Sequence, residues 1–148
     1  TIHTDIPDEL PRVTVDSAQL RQAVLNILNN AADAMDNEGT IDLSLDVQDN
    51  GVCLCIRDDG PGMEPEVRDK VFDPFFSTKG SGRGMGLGLS ITYQLVQRNN
   101  GTIEVQSAPG NGTTFQLCFP TTSVEAGAQT EASRAVRGNT KTTEAANE

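Results

Sequence analysis

Apolar residues recur along this chain with two different periods, and the switches between them mark out its elements. After Asp16, the residues Leu20, Ala23, Val24, Ile27, Leu28, Ala31, Ala34 and Met35 return every three or four positions until Gly39. That is the spacing of an amphipathic helix with one stripe on a core. Asp16 supplies a good N-cap, so a helix is predicted over about 17–37. The stretch TIDLSLDVQ then alternates strictly, with Ile41, Leu43, Leu45 and Val47 on one side, and Asn50-Gly51 turns the chain into the denser apolar run 52–57. A β-hairpin with one face on a core follows from that pattern.

Upstream, TIHTDI and RVTVD read as two short strands joined into a hairpin by the Pro-containing PDELP. Downstream, residues 64–72 predict a short helix and 73–85 a glycine-rich loop. A second long helix is expected over 86–99, with Leu87, Ile91, Leu95 and Val96 on one face and a stop at NNG. TIEVQSA and TTFQLCFP, separated by PGNG, form a last hairpin. The order predicts helices packed on one side of a mixed, mostly antiparallel sheet, an α+β two-layer sandwich. From Thr121 the composition shifts to Thr, Ala, Glu, Asn and Ser with almost no large aliphatic residue. Such a segment buries too little to offset its ordering entropy, so the expected organisation is one domain over 1–120 and a disordered tail over 121–148.

Composition narrows the function classes. A net charge of −10 argues against nucleic acid, whose phosphates repel a surface made mostly of carboxylate. No apolar run approaches the roughly 20 residues of a membrane span, and the first residues lack the basic and apolar regions of a signal peptide. The expectation is a cytoplasmic domain without direct membrane contact, belonging to a protein either soluble or membrane-anchored as a whole. Cys53, Cys55 and Cys118 are expected to be reduced thiols acting as small hydrophobes, and with His3 the single histidine the donors for structural zinc are too few.

Three stretches carry candidate chemistry. DDGPGM, Asp58 to Met63, follows the apolar run VCLCI directly; taken alone it is ordinary turn chemistry. In LNILNNAADAM, Asn26, Asn29 and Asn30 sit mid-helix, where Asn competes with the backbone for hydrogen bonds. Asn26 and Asn30, four apart, lie on one face beside the apolar stripe, as either a polar helix edge or oxygen ligands for a hard cation such as Mg²⁺. GSGRGMGLGLS places glycine at 80, 82, 84, 86 and 88 and runs into the second helix. A glycine loop before a bare helix N-terminus binds phosphate, since unpaired N–H groups face the anion. It is neither a P-loop nor a dinucleotide fingerprint. From Pro74 to Ile103 there is no Asp or Glu, while Lys79, Arg83 and Arg98 lie there, which suits an anion site better than a linker.

Taken in order, these pieces resemble the sequence boxes of sensor histidine kinases, nearest to the nitrogen-regulation type. LNILNNAADAM is similar to the asparagine box, DDGPGM to the first glycine box, FDPFFSTK to the phenylalanine box, GRGMGLGLS to the second glycine box and GNGTTF to the turn before the last strand. The resemblance covers about residues 1–120 and implies the ATP-binding catalytic domain, in the Bergerat sandwich shared with gyrase and heat-shock protein 90. It implies that Asp58 accepts a hydrogen bond from the adenine amino group, that Gly60 and Gly62 turn the chain against the base, and that Asp59 is solvated or bonded locally. Asn30 would ligate Mg²⁺, with Asn26 beside it near the phosphates. Gly84, Gly86, Leu87 and Gly88 would cradle the phosphates, and 73–85 would be a mobile lid bringing Lys79 and Arg83 to the γ-phosphate of ATP. Phe72, Phe75 and Phe76 would anchor that lid to the core.

Related ATPases and serine kinases carry Glu where this chain has Asn26. An amide cannot take a proton, whereas a neutral histidine nucleophile already has a lone pair. The implied activity is therefore phosphotransfer from ATP to a histidine on a helical dimerisation domain outside this chain, and from there indirectly to a response regulator. A pseudokinase that signals by docking, or a serine kinase or ATPase of the same fold, are the alternatives.

Overall fold

The computed structural model describes residues 1–48, 50–78 and 85–122. Its elements run β1 (Ile2–Asp5), α1 (Ser17–Ala34), β2 (Ile41–Gln48), β3 (Gly51–Asp58), α2 (Pro65–Arg68), α3 (Gly88–Arg98), β4 (Thr102–Ser107) and β5 (Thr113–Pro120). The strands form one five-stranded sheet in the order β1-β2-β3-β5-β4. β1 and β2 are parallel and every other pair is antiparallel, giving the mixed, mostly antiparallel sheet expected.

α1 starts where its cap dictates: the Asp16 carboxylate accepts the N–H groups of Ala18 at 2.9 Å and Gln19 at 3.1 Å. Ala23, Ile27 and Ala31, four apart, form its buried stripe. They share one core with Ile56, Val96, Phe115, Leu117 and Phe119, so α1 and α3 cover a single face of the sheet. Ile27, Ile56, Val96 and Leu117 are at most 1% exposed, and burial of each contributes about 1.5–3 kcal/mol. The helix ends short of residue 37 because Asp36 and Asn37 take left-handed backbone angles, φ 51° and 65°, which those residue types tolerate.

The amino-terminal hairpin does not form. β1 instead pairs in parallel with β2, Ile2 opposite Ile41 and Asp5 opposite Ser44, with α1 as the crossover. RVTVD is not a strand; Val13 makes only an isolated bridge to Thr121. That bridge also moves the domain boundary, since Thr121 donates to the Asn50 carbonyl and Thr122 to that of Arg12. The ordered domain therefore includes both threonines, and the rest of the predicted tail, 123–148, lies outside the described residues.

Two further expectations are corrected. α3 begins at Gly88, not at 86, and turns Ser90, Thr92 and Val96 inward, leaving Ile91 41% exposed. The buried face is partly polar, which a reading of aliphatic periodicity misses. Cys53 and Cys118 are joined in a disulfide, not held as reduced thiols, because the β3–β5 register sets them directly opposite with Cα atoms 4.0 Å apart. Cys55 remains a thiol, its pKa raised chiefly by burial and further by the Asp46 carboxylate beside it. Among the described residues no helix is long and apolar enough to cross a membrane.

Candidate functional site

A cavity of about 550 Å³ opens between α1, the end of β3, the loop after it and the start of α3. Asn26, Asn30, Asp58, Gly62, Gly86 and Gly88 all line it. The three stretches singled out in the sequence thus meet in one place, although 28 to 62 residues separate Asp58 from Asn30 and Gly88 from Asn26.

Asp58 ends β3 and is 5% exposed. Its Oδ1 accepts the backbone N–H groups of Gly60 at 3.0 Å and Thr113 at 3.1 Å. These bonds hold the carboxylate in one orientation and leave Oδ2 for the cavity. Burial raises the pKa of Asp58; the two N–H donors oppose that rise and the neighbouring Asp59 charge adds to it. Gly60 does not itself line the cavity; its contact with the site is the N–H it donates to Asp58. Gly62 does line it, with φ +71°, and a Cβ there would stand 2.0 Å from the Ala108 carbonyl oxygen, so only glycine fits. Asp59 is exposed and accepts the Thr40 N–H at 2.9 Å.

On α1 the two asparagines behave differently. Asn26 is committed: its amide donates to the Gly88 carbonyl at 3.0 Å and the Thr92 hydroxyl at 3.2 Å, and its Oδ1 accepts from Gln22 at 2.8 Å. It ties α1 to the first turn of α3. Asn30 lies half-buried on the cavity wall and makes no hydrogen bond to another described residue. On the same cavity, α3 starts at Gly88 with Leu87 in the cap position and no side-chain cap. Its first N–H groups are unpartnered within the helix, and they and the helix dipole favour an anion. Gly86, with φ +66°, packs against the Phe75 and Phe76 backbone so closely that a Cβ would stand 2.6 Å from the Phe76 oxygen.

A fixed carboxylate oxygen, an available amide and a bare helix end thus border one cavity in a helix-on-sheet fold. The family model described as histidine kinase-, DNA gyrase B-, and HSP90-like ATPase matches residues 15–123. The chain belongs to that family. It is 38% identical over 118 residues to the signal transduction histidine-protein kinase AtoS of Escherichia coli (strain K12), covering 79% of this chain and 19% of AtoS. The chain thus spans about a fifth of the length of such curated relatives. Among solved structures, the mycobacterial sensor histidine kinase MprB aligns with TM-score 0.68 and 33% identity, covering 81% of this chain and 82% of that one. Full-length ShkA in complex with AMPPNP aligns with TM-score 0.70 and 31% identity, over 81% of this chain and 26% of that one. Within the family, the likeness to MprB and AtoS places the chain with the sensor histidine kinases.

For a member of this ATPase family, the predicted phenylalanine anchor needs correction. Phe72 does anchor, its ring 5.6 Å from that of Tyr93 and 6.2 Å from that of Phe115. Phe76 lines the cavity, and Phe75 is 76% exposed in a left-handed conformation, held by its N–H to the Gly86 carbonyl at 2.9 Å. Lys79, Arg83 and Gly84 lie outside the described residues. Sequence reasoning missed Asp33 and Thr113, both on the cavity wall. Asp33 follows Asn26 and Asn30 at helical spacing and could have been found that way. Thr113 reaches Asp58 only through the β3–β5 register.

Proposed function

We propose that this domain binds Mg·ATP and delivers the γ-phosphate to a histidine on a helical dimerisation domain outside this chain, which passes it to a response regulator. The domain works in the cytoplasm, where its nucleotide is available. The observation that carries this reading is the shared cavity, lined together by Asp58, Asn30 and the start of α3. Asp58 Oδ2 accepts the adenine amino group. Gly86, Leu87 and Gly88, together with Gly84, hold the phosphates against the N–H groups of α3. Lys79 and Arg83 neutralise charge on the γ-phosphate.

Mg²⁺ fits the donors present. No group of three His, Cys, Asp or Glu side chains capable of holding a metal exists among the described residues, and Mg²⁺ typically takes one or two protein oxygens plus substrate phosphates and water. Asn30 supplies such an oxygen, and the ion, when bound, neutralises phosphate charge. Asn26, whose amide is spent on α3, offers no base for a water or a serine hydroxyl. That favours a histidine acceptor over hydrolysis or serine phosphorylation.

The test is to mix the chain with γ-labelled ATP and a cognate dimerisation domain. Acid-labile, alkali-stable phosphate on that domain is expected, and none on this chain, whose His3 lies on an edge strand beside Asp42. Label on serine, or none on the partner, overturns the proposal. ATP should also bind at least about tenfold tighter than GTP, since a hydrogen bond to a charged group contributes about 1.5–3 kcal/mol and guanine sets a carbonyl against Asp58.

A further inference from the structure

Ser107 lies at the end of β4 and does not line the cavity, yet its hydroxyl meets Gly112 and two residues that do line it, Met63 and Thr113. The Met63 N–H donates to Ser107 Oγ at 2.9 Å. Ser107 Oγ lies 2.9 Å from the Gly112 carbonyl oxygen and 2.9 Å from Thr113 Oγ1. A hydroxyl has one proton and two lone pairs. The Gly112 carbonyl can only accept, so the Ser107 proton goes to it. Ser107 then has only lone pairs left, one taken by Met63, and the Thr113 hydroxyl must donate into the other. Every valence of the Ser107 hydroxyl is used in this arrangement, and the direction of the Thr113 proton follows from it.

The consequence falls on the cavity wall. Thr113 is 8% exposed, lines the cavity and stands opposite Asp58 across the β3–β5 ladder. Because its proton points back to Ser107, whatever part of the Thr113 hydroxyl reaches the cavity carries lone pairs only. Asp58 Oδ2 is likewise an acceptor, Oδ1 being held by Gly60 and Thr113. The two residues therefore present acceptors alone, which an exocyclic amino group can satisfy and a carbonyl oxygen cannot.

We propose that Ser107 is a positioning residue for base selectivity: by holding the Thr113 proton away from the cavity, it stops that hydroxyl from rotating to donate to a 6-oxo purine. This rests on the nucleotide reading above. Removing Ser107 frees the Thr113 proton to turn into the cavity, so the wall can then accept inosine or guanine. The same loss costs ATP itself little, since Asp58 is untouched.

The experiment measures dissociation constants for ATP and ITP on the parent chain and on Ser107→Ala, Ser107→Thr and Ser107→Ala/Thr113→Val, with thermal unfolding of each as a check on folding. The parent should prefer ATP by about tenfold or more. Ser107→Ala should cut that ratio by about fivefold, the value of one ordinary hydrogen bond, mainly through tighter ITP binding. Ser107→Thr keeps the hydroxyl on a strand that suits a β-branched residue and should restore the ratio. The double variant, with no hydroxyl left to rotate, should lose the gain for ITP. Should Ser107→Ala not fold, Ser107→Cys reads the same ratio with the volume kept. A folded variant with the parent's ratio overturns the role of Ser107 alone, whereas a parent that binds ITP as well as ATP overturns the nucleotide reading beneath it.

Discussion

Asn26 on α1 donates its side-chain amide to the carbonyl of Gly88, 62 residues further on, at 3.0 Å. That bond fixes the helix carrying Asn30 against the helix whose start faces the cavity. The spacing between the proposed metal ligand and the proposed phosphate site is therefore set by a side chain that need not touch either ligand.

Asn26→Asp should be worse than Asn26→Ala. The carboxylate would put an oxygen against the Gly88 carbonyl where an N–H now donates, leaving both unsatisfied, at a cost of about 1–3 kcal/mol. Denaturant unfolding should show the loss, and an ATP titration should show weaker binding. Equal stability of Asn26→Asp and the parent would sink the interhelical role.

Asn30→Ala removes an amide that bonds no other described residue, so the fold should be nearly unaffected. Phosphotransfer to a supplied acceptor domain should fall by an order of magnitude or more, as expected of a lost metal ligand, while adenosine affinity stays within about twofold. Parent-like transfer rates, measured at limiting and saturating magnesium, would remove Asn30 from the metal site.

Asp58→Asn should separate stability from function. Burial raises the Asp58 pKa, so the folded chain holds this proton more firmly than the unfolded chain does. The stability it carries is complete below the unfolded-state pKa and is lost as pH rises through the higher folded-state pKa. At neutral pH the buried charge is thus a cost, and the neutral amide should raise nucleotide-free stability while removing that pH slope. Its oxygen can take the place of Oδ1, which turns the NH₂ group toward the adenine amino group, so ATP affinity should fall at least about tenfold. In the parent, ATP affinity should weaken on acidification through the raised pKa. Urea unfolding and calorimetric titration across that range decide both halves.

Cutting the chain after Thr122 should leave stability and ATP affinity intact, whereas cutting after Pro120 should not. The Thr121 and Thr122 N–H groups bond the Asn50 and Arg12 carbonyls at 3.1 and 3.0 Å. Losing both should cost about 1–3 kcal/mol at a net 0.5–1.5 kcal/mol each. Coincident melting curves for the two truncations would show that these contacts carry nothing.

What the sequence by itself determined was local and periodic. The apolar repeat marked α1 and the alternation marked β2, Asp16 and Asn50-Gly51 punctuated them, and the asparagine and glycine stretches named the families of residues at the site. These signals are legible because capping, turn formation and amphipathic burial each act within a few residues. What only the tertiary structure decided depends on register and on which distant segments meet. β1 chose β2 over RVTVD, Cys53 met Cys118, Thr113 reached Asp58, and Asn26 spent its amide on Gly88. Each of these is a pairing across many residues that leaves no local period, because a strand edge or a side-chain amide can bond several partners equally well. The choice falls to the arrangement in which α1 and α3 bury their stripes on one face of the sheet and every buried side-chain polar atom of the described residues finds a partner.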